Sequence, residues 1–152
     1  MDVTESLALP LIDEHSTVVA ADTDDVWRGL GDVLDGSYAG AGAVRFAHLV
    51  GCADPVASGP RPLAEGSTIS GFRVVAADPG RELVLLGRHR FSTYALTFLL
   101  DEAGPRRTVV RAVSRARFPG PAGALYRLLV VGTGGHAIGV RHLLASVRSR
   151  SE

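Results

Sequence analysis

The sequence predicts an α+β domain in which a curved antiparallel sheet of about six strands wraps around one long C-terminal helix. Three observations predict it. Between residues 12 and 118, apolar and polar residues alternate with a period of two in short runs separated by turn signals, the pattern of half-buried strands joined as hairpins. Residues 24–34 depart from this and recur at helical spacing, which places a short helix region after the first strand. Residues 122–148 do the same over a much longer span, after all the strands.

Taken in order, Ile12 to Ala21 is rich in Thr and Val and reads as a strand. Asp22 or Thr23 then caps a helix start, and Asp24 and Asp25 suit the positive end of its dipole. Val26, Trp27, Leu30, Val33 and Leu34 recur at helical spacing, with Trp27 expected in the core. Residues 35–42, rich in glycine, break the helix. A five-strand meander is expected next: Val44–Cys52, Thr68–Ala76, Glu82–His89, Thr93–Leu100 and Thr108–Phe118. The turns between them, such as Asp78-Pro-Gly80 and Asp101-Glu-Ala-Gly-Pro105, are too short for parallel crossovers. Pro119-Gly-Pro121 ends the last strand, and Pro121 fits the first turn of a helix.

Length and composition set the limits. A chain of 152 residues with 46% apolar side chains makes one domain, 1–152, with a real core. Residues 1–10 and 149–152 read as loosely ordered ends. Sixteen basic residues balance sixteen acidic ones, which gives no electrostatic basis for binding nucleic acid. Every basic residue among the sixteen is Arg, and Lys, Asn and Gln are absent, a bias typical of GC-rich coding that lowers the information in any one Arg. Cys52 is the single cysteine, so neither an internal disulfide nor a thiolate cluster is available. The acidic N-terminus is unlike a signal peptide, and no apolar run reaches the ~18 residues of a membrane span. A cytoplasmic protein without a stable membrane anchor, monomeric or homodimeric, is expected.

Parity sorts the strand faces, because arginines must reach water. In the last strand Arg111, Arg115 and Arg117 point outward as a solvated stripe, which turns Val110, Ala112, Ser114, Ala116 and Phe118 inward. The same rule turns Tyr94, Leu96, Phe98 and Leu100 inward, then Leu83, Leu85, Gly87 and His89. Phe72, Val74 and Ala76 follow, and Val44, Phe46, His48 and Val50. A concave face that mixes Ala, Ser and Gly with Phe, Tyr and His leaves volume that side chains need not fill.

On a helical wheel, Leu125, Leu129, Gly132, His136, Val140, Leu143 and Val147 form a stripe roughly 80° wide. Arg127, Arg141 and Arg148 lie opposite. Ala122 to Arg148 is thus expected as one continuous helix of roughly 40 Å, buried along that stripe. The run Leu128-Leu-Val-Val-Gly132-Thr-Gly134-Gly-His-Ala137 also looks like a strand entering a dinucleotide-binding turn. That reading needs a second strand and an acidic residue about 20 positions further on. Only 15 residues follow Ala137, so it fails on geometry.

This order of elements resembles the START-like (SRPBCC) superfamily, the helix-grip proteins that include polyketide cyclases and dehydrases and lipid binders. The resemblance is carried by His15-Ser-Thr-Val-Val-Ala-Ala-Asp-Thr-Asp-Asp-Val-Trp27, by Gly80-Arg-Glu-Leu-Val-Leu, and by the Arg-Phe-Pro-Gly entry into the final helix. It implies a cavity between sheet and long helix that holds an apolar or amphipathic small molecule, such as a lipid or polyketide-like metabolite. The superfamily has no universal catalytic residues, so none is carried over.

The cavity candidates are His48, Phe72, His89, Tyr94, Phe98, Ser114, Tyr126 and His136, with His15 joining them if Thr17, Val19 and Ala21 face inward. Phe46 belongs to the lining as well. An imidazole or phenol on an apolar wall orients a polar ligand group or serves as an acid or base. Each is equally at home as an ordinary hydrogen-bonded core or rim residue. No metal or other cofactor is expected: there is no His-x-x-x-His pair, and no Asp or Glu joins these histidines on the inward faces. Ser114 lacks the context of a hydrolase nucleophile. The chain is therefore expected to bind a hydrophobic metabolite, with a cyclase- or dehydrase-like enzyme as the alternative. A module that works through its surface over a filled core is the third reading.

Overall fold

The structure, a computed structural model, describes residues 3–152. Helix α1 (Val3–Ala8) leads into β1 (Leu11–Val19), then α2 (Thr23–Ser37) and α3 (Ala41–Val50). A long loop reaches β2 (Thr68–Ile69), and a meander follows through β3 (Phe72–Asp78), β4 (Glu82–His89), β5 (Ser92–Glu102) and β6 (Thr108–Arg117). The chain closes with α4 (Gly120–Arg127), a π-helical turn (Leu128–Gly132) and α5 (Gly135–Ser151). The six strands form one antiparallel sheet in the order β1-β6-β5-β4-β3-β2, so the first strand returns to pair with the last. This is the expected α+β architecture.

The concave face carries the main core. Val110 and Ala112 of β6, Phe98 and Leu100 of β5, and Leu83 and Leu85 of β4 are buried there. They pack against Val26, Leu30 and Leu34 of α2 and Val140, Leu143, Leu144 and Val147 of α5. Trp27 packs partly buried against the same cluster. Parity holds through β4, β5 and β6. In β3 a register shift between Val74 and Ala76 inserts a residue. Beyond it Ala77, not Ala76, faces the main core, as expected where a bulge displaces the alternation.

Three expectations need correction. Residues 3–10 are not loose: Leu9 is buried with Val75, Val84, Leu86 and Ala95 on the convex face, where those apolar side chains would otherwise meet water. Met1 and Asp2 lie outside the described residues. At the other end, α5 continues through Ser151, and the Glu152 carboxylate accepts a 2.8 Å hydrogen bond from the Ala20 amide. Second, Val44–Cys52 is a helix, α3, not a strand. Ala47 and Val50 bury one side of it at i, i+3 spacing, and Gly51 closes it in the left-handed conformation (φ 75°) that favours glycine.

Third, the C-terminal helix is not continuous. The π turn and Gly134 (φ 79°) interrupt it, and the segments Gly120–Gly132 and Gly135–Ser151 meet at a 50° bend. Only the second segment keeps the expected stripe against the core. In the first, Leu125 and Leu129 are about 60% exposed. No single helix among the described residues is long and apolar enough to cross a membrane.

Candidate functional site

Along β6 the inward side chains after Val110 are all small. Val110 and Ala112 give way to Ser114 and Ala116, while their β5 partners run from Leu100 and Phe98 to Leu96 and Tyr94. The bend in the C-terminal segment leaves this second half of the concave face without a packed cover. A cavity of about 480 Å³ results, within the range of small-molecule sites. Its floor includes Ser92, Tyr94, Leu96, Ser114 and Ala116, and its roof includes Phe46 and Ala47 of α3, Tyr126, Val130, Val131 and His136.

One wall is a chain of aromatic rings. Phe72 packs edge-on against both Tyr38 and Tyr94, with centroids 5.5 and 5.2 Å apart. His89 lies 5.3 Å from Tyr94 and 4.9 Å from Tyr126, and Tyr126 stacks on Phe91. Tyr94 is fixed from both sides. Its hydroxyl donates a 2.6 Å hydrogen bond to the Gly71 carbonyl, and its ring occupies the space where a side chain on Gly87 would be. A Cβ on Gly87 would fall 2.2 Å from the Gly71 oxygen and 2.3 Å from Tyr94 Cε2, so only glycine fits.

The titratable groups along this wall are held neutral. Burial pushes the phenols of Tyr94, Tyr126 and Tyr38 up, and it also raises the Cys52 thiol. Burial lowers His89, whose Nδ1 accepts a 3.1 Å hydrogen bond from the Phe91 amide. That bond fixes the tautomer: Nε2 carries the proton and is a neutral donor.

Ser114 and His136 give the lining a polar part, with Asp13 and His15 behind it. The register pairs Asp13 of β1 directly with Ser114 of β6, and His15 with Ala112, so Asp13 and His15 share the concave side. The Asp13 carboxylate lies between two imidazoles, with His15 Nε2 3.2 Å from one oxygen and His136 Nε2 3.6 Å from the other. This corrects the expectation that no carboxylate joins the inward histidines. The period-two spacing of Asp13 and His15 was the available signal. Among the described residues, no cluster of three His, Cys, Asp or Glu is placed to hold a metal ion.

Of the candidates from sequence, Phe72, His89, Tyr94, Ser114, Tyr126 and His136 line one volume. Phe46 lines it too, half exposed, but from a helix rather than a strand. His48 does not: it is exposed on α3, because the helical turn carries it away from the side that bears Ala47 and Val50. Phe98 is not part of the lining either, being fully buried in the filled half of the core. Sequence reasoning missed Tyr38, Cys52, Ser70 and His142, all of which line the cavity. Cys52 and Ser70 sit on loops, although both fall on the inward parity of the strands expected at 44–52 and 68–76.

No protein-family model matches the chain, and no curated protein matches it. Solved structures do. A conserved protein from Geobacillus kaustophilus superposes with a TM-score of 0.58 at 14% identity, covering 91% of this chain and 93% of that one. A protein from Thermus thermophilus gives 0.57 at 16% identity, covering 93% and 97%. BexL, a di-domain ARO/CYC protein of the BE-7585A biosynthetic pathway, gives 0.54 at 15% identity, over 91% of this chain and 45% of BexL. At such identities the likeness is one of fold. This chain has the fold found in the ARO/CYC protein BexL and in conserved bacterial proteins.

Proposed function

We propose that this is a START-like helix-grip protein that binds an uncharged, largely apolar small molecule between the sheet and the bent C-terminal segment. The observation that carries the reading is a 480 Å³ cavity with an aromatic wall whose ionisable groups are kept neutral by burial. Such a wall welcomes apolar surface and disfavours charge, because no fixed counter-charge offsets the desolvation of an ion there. The test is native mass spectrometry of the protein purified from its own host, paired with titration of a polarity-sensitive apolar dye. A co-purifying mass and a saturable dye response are expected. Absence of both would defeat the proposal.

A second reading, a cyclase- or dehydrase-like enzyme, is favoured by one observation. His89, Tyr94, Tyr126 and His136 converge on a single volume, and a carboxylate stands behind His136. Positioning a flexible substrate beside an acid/base group supplies much of such a rate enhancement. The fold shared with BexL is compatible with either reading.

A further inference from the structure

Four buried side-chain atoms among the described residues lack a hydrogen-bond partner: Asp13 Oδ1, Ser70 Oγ, Ser114 Oγ and His136 Nε2. Three of them belong to one place. Asp13 and Ser114 are cross-strand partners, and His136, in the first turn of α5, reaches Asp13 and lines the same cavity as Ser114. Buried polar atoms are nearly always satisfied, and an unsatisfied one costs on the order of 1–3 kcal/mol. The Asp13 and His136 atoms lie within reach of each other, which leaves Ser114 Oγ, in the cavity lining together with His136, as the orphan that an occupant's polar group would satisfy.

Asp13 Oδ1 and His136 Nε2 are 3.6 Å apart, within ion-pair reach and just beyond hydrogen-bond length. A small shift of the ring satisfies both, with Nε2–H donating to the carboxylate. The carboxylate then fixes the tautomer and leaves a lone pair on Nδ1. Ser114 is 4% exposed, and its hydroxyl both donates and accepts. Resting on the binding role proposed above, we infer that His136 and Ser114 form a polar grip, backed by Asp13, for a phenolic or enolic hydroxyl at one end of an otherwise apolar ligand. The hydroxyl donates to His136 Nδ1 and accepts from Ser114. A ligand carboxylate is disfavoured, since it would bring a second negative charge against Asp13. Asp13 is a positioning residue here, and His15 holds its other oxygen.

The test compares 2-naphthol with naphthalene, two probes of nearly equal apolar surface that differ by one hydroxyl, by fluorescence titration at neutral pH. The wild-type protein is expected to bind 2-naphthol roughly tenfold more tightly than naphthalene, the value of one well-made buried hydrogen bond. His136→Phe keeps the ring and removes the nitrogens, and should bring the ratio close to one while naphthalene still binds. Ser114→Ala and Asp13→Asn should each lower the ratio severalfold. Ser146→Ala, on α5 outside the cavity lining with its hydroxyl donating to the His142 carbonyl, should leave it unchanged. Naphthalene binding in each variant reports that the cavity is still formed. A ratio as large in His136→Phe as in the wild type overturns the grip and leaves the container standing, as does an equal loss in Ser146→Ala. No binding of either probe to the wild type overturns both.

Discussion

The same strands run through two unlike halves of the concave face. In one half, Val110, Ala112, Phe98 and Leu100 meet α2 and α5 and are sealed to 5% exposure or less. In the other half, Ser114, Ala116, Tyr94 and Ser92 face a cavity under α3 and the segment around Val130. Backbone pairing is continuous across both, from Thr93↔Arg117 to Glu102↔Thr108. The sheet is thus one rigid object, and the side chains alone decide which part is core and which part is site. Stability and the proposed binding are therefore assigned to different residues of one strand.

The strongest challenge to this division is Phe98→Ala. Phe98 is fully buried in the filled half, and its removal should cost about 3–5 kcal/mol in denaturant unfolding. A cost under about 1 kcal/mol would mean that this half is as loosely filled as the other. A finer comparison uses two alanines on one strand. Ala112→Leu, at a site with no free volume, should destabilise by about 1–3 kcal/mol. Ala116→Leu, at the cavity floor, should change stability by less than about 1 kcal/mol and abolish binding of an apolar dye. Equal costs for the two would erase the distinction.

The smallest effect concerns His89. Its folded-state pKa lies below the ordinary value of 6.5, so below pH 6.5 the unfolded chain takes up a proton that the folded one resists. This group therefore leaves stability at its full value above pH 6.5 and lowers it as pH falls below that. His89→Asn, whose side-chain oxygen can still accept from the Phe91 amide, should flatten that part of the stability–pH curve. Unfolding free energies between pH 5 and 8 would reveal it, and an unchanged slope would show that His89 protonates freely in the folded cavity.

The filled half was the more legible one. Parity governed by outward arginines placed Leu83, Leu85, Phe98, Val110 and Ala112 correctly, and β4 fell on Glu82–His89 as expected. Period-two reasoning works where strands are long and one face must be wet. It failed at Val44–Cys52, where Val44, Phe46, His48 and Val50 mimic alternation while Ala47 and Val50 set a helical pair. Gly51 was the clue, being placed to close a helix in a left-handed turn. The cavity half was less legible because its roof is α3 and a broken helix. A wheel drawn through residues 122–148 assumes one uninterrupted phase, and the π turn resets it. Hence His136 was placed correctly, near the start of the intact segment, while Leu125 and Leu129 were not.

The interruption between Leu128 and Gly134 divides the C-terminal segment into two mechanical units. A single rod from Gly120 to Ser151 would carry any movement at the cavity mouth into Val140, Leu143 and Val147, so each guest exchanged would disturb the main core. With the break at Gly134 the front segment is not tied to the rear one as a single rod, and the rear one is seated against α2, where Gly29 packs closely on Ser151. Local opening then costs far less than global unfolding. On the proposed binding role, ligand release and the melting temperature fall to different residues, the first to the glycines of residues 132–135 and the second to the leucines and valines behind them.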